Sequence, residues 1–299
     1  MKAFFCALAL VLPTALQAET VPVATAAGEV QAPLNPAKTV ALDMAAIDTL
    51  DALDVAIIGR PDITPPAYLS ETLASVPTVG TLFEPDFEAL AALAPDLIVA
   101  GGRSQAQVQP LSQIAPTLDM TIGGTDLLNE TTARIDAYAA IYDRTDAGTA
   151  LKAELDADLA AARDAVSGKG KAMIILTNGG KISAYGANSR FGWLHSALDL
   201  PEAYPGLVVE NHGEAVSFEF VAEANPDWLL VIDRGAAVGQ GGEAAAATLD
   251  NPLIAGTTAG KTGQIVYLDG SAMYLAGGGF HSVTGTLEQL TAAFGGAGS

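Results

Sequence analysis

Two continuous apolar runs stand out from a mixed hydrophobic and polar pattern: Leu97-Ile98-Val99-Ala100 and Leu229-Leu230-Val231-Ile232. Each is short enough for a strand and lacks polar alternation, as expected of a strand buried on both faces of a parallel sheet. Both lie inside one repeated unit. FEALAALAPDLIVAGGR at 87–103 aligns without a gap with FEFVAEANPDWLLVIDR at 218–234. The copies share Phe87/Phe218, Glu88/Glu219, Ala91/Ala222, Pro95/Pro226, Asp96/Asp227 and Arg103/Arg234. Each predicts a short helix with an exposed Glu, a Pro-Asp stop, a buried strand and an Arg at the strand's carboxyl end. Ligands of open α/β sheets sit beyond those ends. Two copies predict two similar α/β lobes with a cleft between them.

The remaining pattern fills in the lobes. Thr39–Asp43 predicts a strand, 44–53 a helix, 55–59 a second strand, 105–114 a helix and 117–120 a short strand. Residues 19–37, polar and holding Pro22, Pro33 and Pro36, predict a flexible leader or an edge segment. Between the lobes, Leu127, Leu128, Ile135, Tyr138, Ile141 and Tyr142 fit one helical face. Leu151, Leu155, Leu159, Ala162 and Val166 fit another, closed by Gly168 and Gly170. A long helix here implies a stiff connection. Beyond it, 173–177 and 181–185 predict strands, 193–198 the start of a helix, 264–268 a strand, 274–279 a Gly-rich loop and 283–294 a final helix. The expected domains are a signal peptide at 1–18, the leader at 19–37, an N-terminal lobe at 38–143, a connecting helix at 144–168 and a C-terminal lobe at 169–299.

The signal peptide rests on Lys2, the apolar stretch Ala3–Leu12 and the small-x-small pattern ending at Ala18. Cleavage there removes Cys6 and implies export to a Gram-negative periplasm, with no lipid or membrane anchor. The chain has 299 residues, half of them hydrophobic, and a formal charge of −20 from 34 acids against 14 Lys plus Arg. No basic stripe exists to displace counterions, so nucleic acid is excluded as a partner. The acid excess has its simplest explanation in solubility. It also makes each strand-end Arg notable.

No catalytic motif is present: no G-x-S-x-G, H-E-x-x-H, P-loop or C-x-x-C. The three histidines, His195, His212 and His281, have no zinc-site spacing. His195 reads as a core or helix-face residue and His281 as a flank of the last helix. Binding residues remain. Arg103, Arg190 and Arg234 lie at strand ends or in Gly-flanked loops, and three converging guanidiniums would hold an anionic, oxygen-rich ligand. The alternative is three surface arginines paired with acids. His212 and Tyr274 could serve a hard ferric ion, or be a backbone-bonded loop His and a half-buried aromatic. Glu88 and Glu219 are solvated helix residues, or matched docking points for a pseudo-twofold partner.

In combination, TVALDMAAIDTLDALDV, PDFEALAALAPDLIVAGGR, YGANSRFG, VSFEFVAEANPDWLLVIDR and YLAGGG resemble the periplasmic siderophore-binding proteins of ABC importers, within them the ferric-catecholate group. The resemblance covers about residues 38–294. It implies the helical-backbone, class III periplasmic binding protein fold, with a ligand cleft between lobes bridged by one long helix. It implies a monomeric binding protein without enzyme activity or a cofactor of its own, Fe(III) arriving within the siderophore. Arg103, Arg190 and Arg234 are then the pocket for catecholate oxygens. His212 and Tyr274 complete the iron coordination when the siderophore supplies only four donors, and their presence favours a tetradentate ligand. Glu88 and Glu219 meet arginines of the ABC permease dimer. Some relatives carry a Lys beside the first pocket Arg, where this chain has Ser104-Gln105-Ala106. A haem, cobalamin or other chelate receptor on the same fold is the alternative, and an exported enzyme a remoter one.

Overall fold

Asp96 and Asp227, equivalent positions of the repeat, do the same structural work. The Asp96 carboxylate accepts from the backbone N–H groups of Ala37 (3.1 Å) and Lys38 (2.9 Å), and that of Asp227 from Lys171 N–H (2.8 Å). Each side chain pins the start of the neighbouring parallel strand to the strand that follows it. The computed structural model describes residues 19–124, 126–207, 213–239 and 244–296. The expected signal peptide, Cys6 and His212 lie outside the described residues.

The strands are β1 (Thr20–Thr25), β2 (Gly28–Pro33), β3 (Thr39–Ala41), β4 (Leu97–Ala100), β5 (Thr117–Asp119), β6 (Ala172–Asn178), β7 (Lys181–Tyr185), β8 (Glu214–Val216), β9 (Trp228–Asp233) and β10 (Ile265–Leu268). The helices are α1 (Met44–Ala52), α2 (Phe87–Leu93), α3 (Val108–Leu111), α4 (Leu127–Ile141), α5 (Thr145–Val166), α6 (Trp193–Ser196), α7 (Phe218–Ala224), α8 (Arg234–Ala237), α9 (Ala245–Leu249), α10 (Pro252–Ala255), α11 (Thr258–Thr262), α12 (Gly270–Leu275) and α13 (Phe280–Gly296). In the N-terminal lobe β3, β4 and β5 form a parallel sheet in that order. In the C-terminal lobe the order is β10-β9-β6-β7-β8, parallel from β10 to β6 and antiparallel beyond.

The repeat folds as its pattern predicts. Asp86 caps α2 and Ser217 caps α7 by accepting first-turn N–H groups, and both helices end in a left-handed residue, Ala94 (φ 47°) and Asn225 (φ 45°). The strands that follow, β4 and β9, are buried on both faces. Apolar side chains fill both sides of each sheet, so each lobe has its own core. The lobes are joined by α5, which packs against α4 and α13 through Leu155, Ala162 and Val166. A Cβ added at Gly148 would lie 2.6 Å from Ala139 Cβ, so the glycine lets α5 approach α4. Trp228 stacks on Phe294 at 3.7 Å, fixing the end of α13 to the second sheet.

Three expectations need correction. Of the two readings of residues 19–37, the edge segment holds and the flexible leader does not: β1 and β2 make an antiparallel hairpin whose Val23 and Ala32 are buried. Arg134 of α4 donates to Ala24 O (3.1 Å), and Ala26 N–H to Asp119 O (2.8 Å). Prolines are tolerated because the hairpin supplies edge strands. Residues 55–59 form no strand; only Gly59 bridges Val40, although Ile58 N–H still donates to Thr39 O (2.8 Å). Tyr274 lies not in a Gly-rich loop but on α12, started by the Asp269 cap.

Candidate ligand-binding site

A cavity of about 490 Å³ opens between the lobes. The N-terminal lobe contributes Asp43, Phe83, Gly102, Arg103 and the 121–124 loop; the C-terminal lobe contributes Arg190, Phe191, Trp193, Met273 and Tyr274. The lining is thus apolar and aromatic with a few convergent polar groups, the usual make-up of a small-molecule site.

Each arginine is delivered by local structure. Arg103 follows β4 across the Gly101-Gly102 turn. The buried Ser104 hydroxyl accepts from Gly101 N–H (3.0 Å) and lies 3.2 Å from the Leu42 carbonyl. Gly102 has φ +50°, and a Cβ there would lie 2.9 Å from Asp43 Oδ2, so this turn favours glycine. Arg190 leaves a loop closed by Ser189 Oγ donating to Gly186 O (2.6 Å). Arg234 opens α8 directly after β9, where Asp233 accepts from Ala236 N–H (3.0 Å). The 121–124 loop is braced from behind: Glu130 accepts from Gly123 and Gly124 N–H (3.0 and 3.1 Å), and Arg134 donates to Met120 and Thr121 carbonyls (3.2 and 2.9 Å).

The three arginines converge on one residue. Arg103 Nη2 and Arg190 Nη2, from opposite lobes, donate to the Tyr274 carbonyl at 3.0 and 2.6 Å. Arg234 Nε donates to the Tyr274 hydroxyl at 3.1 Å, and its Nη1 to Asn178 Oδ1 at 3.3 Å. All three guanidinium carbons lie 4.7–5.4 Å from the Tyr274 ring centroid. Among the described residues, no carboxylate is within ion-pair distance of Arg103 or Arg190. Burial, then the nearby Arg103 charge, lowers the pKa of Arg190. Burial pushes the Tyr274 phenol up, but its hydrogen bond to Arg234 and the charges of Arg234 and Arg103 outweigh that and lower it. Burial raises Asp43, against its bond from Ala46 N–H and the charge of Arg103.

The other expected residues sit elsewhere. Glu88 and Glu219 are exposed on the first turns of α2 and α7, outside the cavity. His195 is buried with Nδ1 2.9 Å from Leu200 O, a core residue. His281, in the first turn of α13, faces Asp51 (Nε2–Oδ2 3.5 Å). Among the described residues no three His, Cys, Asp or Glu side chains gather to hold a bare metal ion. Sequence reasoning missed Asp43, Phe83, Phe191 and Trp193. Phe191 and Trp193 were signalled by their place beside Arg190, and Asp43 by its place just after β3.

A family model described as periplasmic binding protein matches residues 40–272. The chain belongs to the periplasmic binding protein family. Its relatives include the petrobactin-binding protein YclQ of Bacillus subtilis, 33% identical over 262 residues, which cover 86% of this chain and 82% of that protein. The ferric-anguibactin-binding protein FatB of Vibrio anguillarum is 28% identical over 266 residues, with the same coverages. Among solved structures, YclQ superposes with a TM-score of 0.88 at 31% identity, covering 92% of this chain and 99% of that one. The periplasmic catecholate-siderophore binding protein VctP of Vibrio cholerae superposes with a TM-score of 0.84 at 31% identity, covering 93% and 100%. In a periplasmic binding protein the cavity between the lobes is the expected seat of the cargo, and here that cavity holds Arg103, Arg190 and Tyr274.

Proposed function

We propose that this periplasmic binding protein captures an anionic Fe(III)-siderophore complex of the catecholate type and delivers it to an inner-membrane ABC permease. The observation that carries the reading is the convergence of Arg103, Arg190 and Arg234 on Tyr274: Arg103, Arg190 and Tyr274 line the inter-lobe cavity, and Arg234 reaches it through the Tyr274 hydroxyl. Guanidinium groups held this way offer charge-assisted hydrogen bonds to aryl oxygens. Relatives named for petrobactin, ferric anguibactin and catecholate siderophores support the ligand class.

Tyr274 adds a second chemistry. Its phenol oxygen is a hard donor suited to Fe(III), and the hydrogen bond from Arg234 with the charges of Arg234 and Arg103 lowers its pKa from the ordinary phenol value. The preferred cargo is therefore a tetradentate siderophore, whose iron keeps two sites for Tyr274 and His212. Glu88 and Glu219 serve as the matched contacts with the permease dimer, and the leader cleaved after Ala18 carries the chain to the periplasm.

The test is a fluorescence titration of the mature protein with a ferric bis-catecholate and a ferric tris-catecholate. Wild type should bind both, and the His212→Ala/Tyr274→Phe pair should weaken the bis-catecholate far more than the tris-catecholate. Equal losses for the two would refute direct ligation, and no binding of either would overturn the ligand class.

A further inference from the structure

Phe83 is held in a way that an incidental surface residue is not. Its side chain is 62% exposed, more than Tyr68, Phe87, Tyr204, Leu253 or Tyr267, yet its backbone is fixed on both sides. Leu82 is buried before it, and Pro85 after it. Thr81 N–H donates to Glu84 O (2.9 Å), and Thr81 Oγ1 accepts from the N–H groups of Phe83 (3.3 Å) and Glu84 (3.0 Å). Gly80 bridges Pro85 with φ +91°, where a Cβ would lie 2.4 Å from Asp86 N. Gln107 Nε2 donates to Phe83 O at 3.4 Å. This tight turn places Phe83 in the lining of the cavity that contains Arg103, Arg190 and Tyr274.

Single exposed hydrophobic residues are common and carry no message. An aromatic residue on a tightly bonded turn, lining the same cavity as two guanidiniums, differs because little backbone ordering remains to be done when a ligand arrives. The arginines recognise oxygen charge but not the carbon frame that bears it. A flat apolar ring lining the same cavity can recognise the aryl ring itself, by offset or edge-to-face contact.

We infer that Phe83 is a specificity-determining contact for a planar aryl ring of the cargo. The inference rests on the reading of the cavity as a ferric aryl-oxygen chelate site, and it adds a residue to which that reading assigns no role. It places selection for aromatic chelates on the N-terminal lobe, apart from the charge selection of the arginines.

The experiment titrates wild type, Phe83→Ala and Phe83→Tyr with the ferric complex of 2,3-dihydroxybenzoate, after thermal melts confirm that both variants fold. Phe83→Ala should bind about ten-fold more weakly, and Phe83→Tyr, which keeps the ring, should match wild type. Equal affinities for wild type and Phe83→Ala would overturn the inference while leaving the proposed function standing. A loss of equal size in Phe83→Tyr would also overturn it, since the ring would not be what matters. Unchanged binding with reduced iron uptake in cells would assign Phe83 to a permease contact instead. Wild type failing to bind the complex would overturn the proposed function and this inference together.

Discussion

Arg103 of the N-terminal lobe donates across the cleft to the Tyr274 carbonyl of the C-terminal lobe at 3.0 Å. That oxygen belongs to the last turn of α12, where helix carbonyls carry partial negative charge. Arg190 meets the same oxygen, so one carbonyl holds two cations together in a chain of charge −20. An anionic chelate entering the cavity would offer these guanidiniums stronger partners than a neutral carbonyl.

Tyr274 should ionise early. Burial pushes Tyr68, Tyr138, Tyr142, Tyr185 and Tyr267 up, whereas Tyr274 is lowered by Arg234 and Arg103 despite its own burial. In a spectrophotometric pH titration, Tyr274→Phe should remove a phenolate from the part of the curve below about pH 10. Arg234→Gln should move the same step upward. An unchanged early part of the curve in both variants would contradict the assignment.

Asp48 ties the lobes behind the cavity wall. Wholly buried on α1, it accepts from His281 and Ser282 N–H in the first turn of α13 (2.7 and 3.0 Å) and from the Tyr68 hydroxyl (2.6 Å). Burial nevertheless raises its carboxyl from 3.8 to about 6. The folded state thus holds this proton more tightly than the unfolded chain. The resulting stability is fully present below the unfolded value and is lost as pH rises through about 6. Its ceiling is about 3 kcal/mol. Urea unfolding should show wild type gaining stability relative to Asp48→Asn between about pH 7 and about pH 4. A difference independent of pH would contradict the shift.

The repeat separates structure from surface. Asp96→Ala and Asp227→Ala each remove backbone-pinning bonds and should cost about 1 kcal/mol in urea unfolding. Glu88→Ala and Glu219→Ala should stay within about 0.5 kcal/mol of wild type and bind cargo normally. In cells carrying the cognate importer, the two Glu variants should slow iron uptake. Normal uptake by the double Glu variant would remove them as permease contacts.

How much was legible follows from sequence distance. The repeat announced β4 and β9 because burial on both faces leaves a run of apolar residues with no alternation. The stripe along α5 was equally readable, since Leu155, Ala162 and Val166 recur at helical spacing. The N-terminal hairpin was legible only as the edge-segment alternative, because Pro22 and Pro33 argue against central strands and its anchor, Arg134, lies far along the chain. Tyr274 was misplaced because three glycines follow it and α12 is too short to show a period. Strand ends and loops brought Arg103, Arg190 and Arg234 forward as candidates, but their meeting on Tyr274 is a tertiary fact. Phe83 had no signal at all, since an exposed aromatic gains meaning only from the cavity it borders.

The central claim, that these arginines form the cargo site, is tested most directly by one equilibrium titration. Wild type, Arg190→Gln and Arg144→Gln would each be titrated with a ferric bis-catecholate, Arg144 being an exposed arginine away from the cavity. Loss of one charge-assisted contact is worth about 1.5–3 kcal/mol, so Arg190→Gln should weaken binding by about ten-fold or more. Arg144→Gln should match wild type. Indistinguishable affinities for all three proteins would contradict the account.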